Sequence, residues 1–151
     1  MKHLIFLAIL LCFFISCGGD DARTTAEEAI GEQIQIPSED AAVEAAQEWL
    51  ALIDSGRYAE SWENTSDMFR NAVDQEQWVQ QMQALRKPMG DVKSREVRST
   101  EYKTSLSGAP DGEYVVILFN SSFTNKQQAV ETVTPMKSKT GEWKVSGYYI
   151  R

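Results

Sequence analysis

A chain of 151 residues with 42% hydrophobic and 10% aromatic content suits one small domain with a real apolar core. Its formal charge of −7 repels phosphate backbones and anionic headgroups, so nucleic acid is not an expected partner. His3 and Cys12 fall in an apolar leader and Cys17 stands at its end, so Ser-His-Asp or Cys-His catalysis, a disulfide and histidine- or thiolate-bound zinc are excluded from the folded part.

The chain opens with Lys2 and His3, then runs apolar from Leu4 to Ile15. That run matches a signal-peptide core and falls short of the ~20 residues of a spanning helix. Ser16, Cys17, Gly18 and Gly19 follow, then the acidic pair Asp20-Asp21. An ordinary secretory cleavage site wants small residues at −1 and −3, and Phe14 is too large for the second. The stretch Phe14-Ile15-Ser16-Cys17 instead resembles a bacterial lipoprotein signal, with Phe14 where leucine is usual. Residues 1–16 are therefore expected to be a lipoprotein signal peptide, with Cys17 as the lipid acceptor. The expected partner of that cysteine is a membrane of the cell envelope. Loss of Lys2 with the leader would move the formal charge from −7 to −8. Residues 17–37 are polar and read as a flexible lipidated tether, with an r.m.s. span on the order of 25 Å.

Residues 38–151 read as a single domain. Ser38 is placed to cap a first helix, with Glu39 and Asp40 at its positive end. Ala42, Ala45, Ala46, Trp49, Leu52 and Ile53 share one face, and Gly56 ends the run. Tyr58 and Trp62, four apart, predict a short second helix. Met68 and Phe69 belong to another turn capped by Thr65 or Ser66. Asp74 followed by Gln77 resembles a capping box. It opens a helix with a stripe of Trp78, Met82, Leu85 and Met89, closed by Pro88 and Gly90. The mixed charges between Arg86 and Arg98 read as a solvated face.

After Gly90 the period changes to that of strands. Val92 to Thr104 fits a long half-exposed strand, and residues 107–112 a loop. Tyr114 to Phe123 is the most strand-like segment, unbroken and apolar from Val115 to Phe119, and is expected to be central. Ala129 to Met136 returns as a strand whose Pro135 marks an edge position or bulge, and Thr140-Gly141 turns into Trp143 to Ile150. Helices followed by strands joined through short turns predict an α+β fold, with N-terminal helices packed on a curved four-stranded antiparallel sheet.

An ordered series of phrases runs along this domain. It includes Trp49-Leu50, Asp54-Ser55-Gly56-Arg57-Tyr58, Ser61-Trp62 and Arg86-Lys87-Pro88-Met89-Gly90. It continues with Ser94-Arg95, Gly108-Ala109-Pro110-Asp111-Gly112-Glu113-Tyr114, Phe123, Asn125-Lys126 and Glu131-Thr132-Val133. Trp143-Lys144-Val145 and Gly147-Tyr148 complete it. From about Ala42 to Ile150 the chain resembles the bacterial family called domain of unknown function 4019, a resemblance that brings no activity and no catalytic residues. More loosely, the element order is similar to the cone of nuclear-transport-factor-2-like or cystatin-like proteins. That cone hosts isomerases, dehydratases, ligand binders and inert scaffolds alike. Many cone enzymes place a strand pair between their early helices, and none is visible before Gly90.

With no histidine in the mature chain, the chemistry left is that of carboxylate, tyrosine and lysine. Glu131 with Tyr102, Tyr114 or Tyr148 could supply a base and a donor in a cone enzyme acting on a small apolar substrate. The bland alternative has Glu131 facing solvent and the tyrosines packing their rings. Trp62, Trp78 and Phe119 line an apolar pocket on one reading and plain core on the other, so the ligand-pocket candidates are Trp62, Trp78, Tyr102, Phe119 and Glu131. No Gly-rich phosphate loop and no calcium-loop spacing appears, and no metal or cofactor is expected. The leading expectation is a non-catalytic domain that binds an envelope protein or a small apolar ligand. A homodimer through the open sheet face is a further option.

Overall fold

The computed structural model describes residues 37–151; the expected signal peptide, Cys17 and the tether up to residue 36 lie outside the described residues. The order is α1 (Pro37–Asp54), α2 (Tyr58–Glu63), α3 (Asp67–Ala72), α4 (Gln75–Met89), β1 (Val92–Lys103), β2 (Tyr114–Phe123), β3 (Lys126–Lys137) and β4 (Trp143–Ile150). The strands pair antiparallel in sequence order as a curved, unclosed sheet, which is the expected α+β arrangement. Among the described residues no helix is long and apolar enough to cross a membrane.

α1 begins at Pro37, one residue ahead of the expected cap, where a missing N–H costs a helix nothing. Ala42, Ala46, Trp49, Leu50 and Ile53 are buried, so Leu50 joins the predicted stripe, while Ala45 and Leu52 stay half-buried at its rim. Ser66 caps α3, its hydroxyl accepting from the Phe69 N–H at 3.2 Å. Asp74 occupies the N-cap position of α4 but its side chain makes no capping bond, so the predicted capping box does not form.

β2 and β3 alternate. On β2, Val115, Ile117, Phe119, Ser121 and Phe123 are buried under the helices, whereas Val116 and Leu118 are only partly covered on the other face. On β3, Ala129, Glu131, Val133 and Pro135 take the inward parity. Pro135 sits at a register shift after Thr134, the bulge its missing donor calls for. β3 starts at Lys126, earlier than the expected Ala129, because the hairpin turn is tighter than the sequence indicates.

The tip of the β2–β3 hairpin docks on the α4–β1 junction. Thr124 and Asn125 N–H groups donate to the Asp91 and Met89 carbonyls at 2.8 and 2.9 Å. Gly90, which caps α4 with φ 75° and ψ −162°, lies beneath that tip. A Cβ there would sit 3.0 Å from Thr124 Cβ and 3.3 Å from Asn125 Nδ2. Gly56 also has positive φ, 73°, but a Cβ there meets nothing within 4 Å. Gly90→Ala should therefore cost about 3 kcal/mol, against about 1 kcal/mol for Gly56→Ala, in urea unfolding. Equal losses would show that the hairpin tip does not press on this junction.

Candidate functional site

Inward parity on β3 places a carboxylate where only apolar groups are at home. Glu131 has 0% of its surface exposed. It survives there because surrounding elements each send a polar side chain to it. These are Arg86 from α4, Arg95 from β1, Ser121 from β2 and Tyr148 from β4, while Asp54 at the end of α1 pairs with the two arginines. Glu131 Oε1 accepts from Tyr148 Oη at 2.7 Å, Arg86 Nη1 at 3.2 Å and Arg95 Nη2 at 3.2 Å. Oε2 accepts from Arg95 Nε at 2.7 Å and from the Ser121 hydroxyl.

Asp54 completes the balance. It takes Arg86 Nη2 at 2.6 Å, and Arg95 Nη1 and Nη2 at 2.6 and 3.0 Å. The guanidiniums are 5% and 13% exposed, and the Asp54 side chain is 22% exposed. Of the charged side chains in the cluster, Asp54 is the most open to solvent. Arg86 also lies over the Phe123 ring, its carbon 4.6 Å from the centroid. Two guanidiniums and two carboxylates cancel, so burying them together leaves no net charge inside. No described buried side-chain polar atom lacks a hydrogen-bond partner.

Burial, and then the adjacent negative charge of Glu131, push the Tyr148 phenol well above its ordinary value. Tyr148 therefore acts as a fixed donor. For Arg95, burial works against the charged form, but hydrogen bonds and charge from Asp54 and Glu131 outweigh it and raise its pKa.

Beside the ion pairs lies an aromatic group. Trp49 contacts Tyr148 at 5.4 Å and Trp78 at 6.0 Å, and Phe69 meets Trp78 edge-on at 5.2 Å. Buried Ser61 serves both indoles, its carbonyl accepting from Trp49 Nε1 at 2.8 Å and its hydroxyl from Trp78 Nε1 at 3.0 Å.

The ligand-pocket candidates separate. Trp78 and Phe119 are core, and Trp62 packs against that core with its indole N–H on the Val73 carbonyl at 2.7 Å. Tyr102 instead donates to Glu113 at 3.1 Å, and Tyr114 to the Pro110 carbonyl at 2.6 Å. Of the pairings of Glu131 with Tyr102, Tyr114 and Tyr148, only that with Tyr148 is made. The solvent-facing reading of Glu131 is overturned, because its strand parity turns it inward. The solvated reading of residues 86–98 fails at Arg86 and Arg95, which answer the buried charge, and holds at Lys87, Asp91, Lys93, Glu96 and Arg98. Asp54, Arg86 and Arg95 were missed as site residues. A signal exists for Arg86, which is four residues beyond Met82 on the buried stripe, and for the burial of Glu131, which stands between inward Ala129 and Val133. No group of three His, Cys, Asp or Glu side chains among the described residues could hold a metal ion.

The family model described as a protein of unknown function, DUF4019, matches residues 45–148. The chain belongs to the DUF4019 family. No curated protein and no solved structure matches it. The DUF4019 match takes in every residue of the polar cluster, from Asp54 to Tyr148, and excludes Cys17.

Removing one member of a buried ion cluster strands the rest. Glu131→Gln should lower unfolding free energy by about 3–5 kcal/mol, whereas breaking the exposed Arg57–Glu60 pair with Arg57→Ala should cost about 1 kcal/mol or less. Denaturant titrations of the two variants make the comparison. Tyr148 carries a pH signature as well. Its folded pKa is raised, so its contribution is complete below the ordinary value of 10.0 and is lost as pH climbs through the folded value. Stability should fall above pH 10, where the unfolded chain releases the proton that the folded chain keeps. Tyr148→Phe should flatten that alkaline fall; an unchanged slope would contradict the assignment.

Proposed function

We propose that the protein is a lipid-anchored lipoprotein of the cell envelope whose folded domain is a non-catalytic binding module. Its occupant would be an envelope protein or a small apolar ligand. The observation that carries the non-catalytic part is the state of Glu131, the carboxylate best placed for acid–base work. It has no exposed surface and spends both oxygens on five donors. A general base must reach the proton it removes, and this one is walled in by side chains that bind it more strongly than a neutral substrate would. The pairing with Tyr148 that a cone enzyme would use is present only as a sealed contact.

Anchoring is supported by the sequence Ser16-Cys17-Gly18 after an apolar run too short to span a bilayer. Acyl chains on Cys17 contribute about 0.8 kcal/mol per buried CH₂, so two or more hold a protein stably at a membrane. An alkyne-tagged fatty acid fed to cells should label the protein and follow it into the membrane fraction. Cys17→Ala should lose label and membrane association together, and membrane retention of that variant would refute the anchor. For the binding role, photo-cross-linking residues spread over the domain surface should yield one discrete adduct in intact cells. A surface that yields none would count against it.

A further inference from the structure

An antiparallel strand turns its backbone groups to alternate sides. At the end of β4, Val130 and Arg151 exchange both backbone bonds, at 3.0 and 3.1 Å. Tyr149, two residues back, is registered on Thr132 and faces β3 in the same way. Tyr148 and Ile150 therefore aim their N–H and C=O groups away from β3, at the free edge of the sheet. Among the described residues those groups have no partner across that edge. Among the described residues, the start of the edge alone is covered. Ser66 N–H donates to the Val145 carbonyl at 2.8 Å, and Thr65 forms a one-residue parallel bridge there.

Beyond that bridge, a groove of about 530 Å³ lies between α4 and β4. Trp78, Met82 and Leu85 of α4 and Tyr148, Tyr149 and Ile150 of β4 line it, and no acidic or basic side chain does. On a chain with a formal charge of −7 this is a neutral, apolar strip. Tyr149, 62% exposed, flanks it on the outer face.

The other edge of the sheet is protected. β1 breaks register twice and exposes Lys93, Glu96, Arg98 and Glu101, features that discourage a further strand. Tyr148 to Ile150 has neither bulge nor charge.

We propose that the β4 edge is a docking site for an extended peptide segment of a partner protein. The segment adds as a strand beside β4 and seats apolar side chains at alternate positions under α4. This rests on the reading of the domain as a binding module and names its partner surface. Backbone bonds at Tyr148 and Ile150 hold the strand, and the neutral groove selects uncharged side chains spaced two residues, about 7 Å, apart.

The test uses the full-length protein in detergent micelles and a capped, fluorescein-labelled hexapeptide of alternating valine and threonine. Two further versions carry N-methyl groups on the valine amides or on the threonine amides. Saturable anisotropy is expected, with amide exchange slowed at Tyr148 and Ile150 and unchanged at Thr100 on β1. One methylated version, whose blocked amides face β4, should bind at least about tenfold more weakly, and the other nearly as well as the parent. Ala84→Arg, an exposed change at the rim, should weaken binding as much. Equal response to the two methylations, or unprotected amides at Tyr148 and Ile150, overturns the site. Protection of the same amides by self-association without peptide overturns the peptide assignment in favour of a second copy of the chain. If the amides stay unprotected while cellular cross-links map elsewhere on the domain, this site falls and the binding module stands. If no surface gives an adduct, both fall.

Discussion

A carboxylate with no exposed surface sets the terms for the rest of this fold. Glu131 lies on an interior strand, and the partners that make its burial tolerable come from both layers of the domain. Arg86 reaches it from the helices, with Asp54 pairing the guanidiniums behind it, and Arg95, Ser121 and Tyr148 reach it from the sheet. Buried ion pairs add little net stability over well-packed apolar groups, but leaving one half-made is costly. The cluster therefore acts as a specification. This placement of α1 and α4 on the sheet pairs every charge of the cluster. Tyr148 links it to the aromatic group, because the same ring that donates to Glu131 packs on Trp49 and Trp78.

That arrangement moves the question of function from the interior to the surface. A cone with an open mouth would offer a pocket; here the concave side is occupied by indoles, a phenol and paired guanidiniums. What the fold leaves unfinished is at its margin. One edge of the sheet is roughened by bulges and charges, while the far end of the other has backbone groups without a partner among the described residues, beside an apolar groove. The proposed binding role rests on this contrast between a self-satisfied interior and an edge open among the described residues.

Much of the architecture was legible because local rules and the fold agree. The stripe through Trp49 and Ile53, the helix closing at Gly90, the apolar run of β2 and the bulge at Pro135 follow from periodicity, turn chemistry and the missing proline donor. Where one local signal has competing outcomes, the reading failed. Asp74 stands at the right position to cap α4 yet makes no capping bond. The site was legible only in part. Trp78 and Phe119 are core, as apolar periodicity implies, and Glu131 was singled out without its burial being foreseen. Strand parity pointed inward, but the usual preference of charge for water pointed outward. Arg86 and Arg95 were hidden by the same preference, since a run of mixed charges normally marks a solvated face. Their partner is 45 and 36 residues away, beyond the reach of any local pattern.

The central claim is that Glu131 and its guanidiniums form one coupled unit that fastens helices to sheet. A double-mutant cycle on Glu131→Gln and Arg86→Met, read by equilibrium urea unfolding, measures that coupling directly. Groups that share a buried network should lose far less together than the sum of their separate losses, with a coupling energy of about 1–3 kcal/mol. Losses that add to within about 0.5 kcal/mol would mean the two side chains are energetically independent, and the account would be wrong.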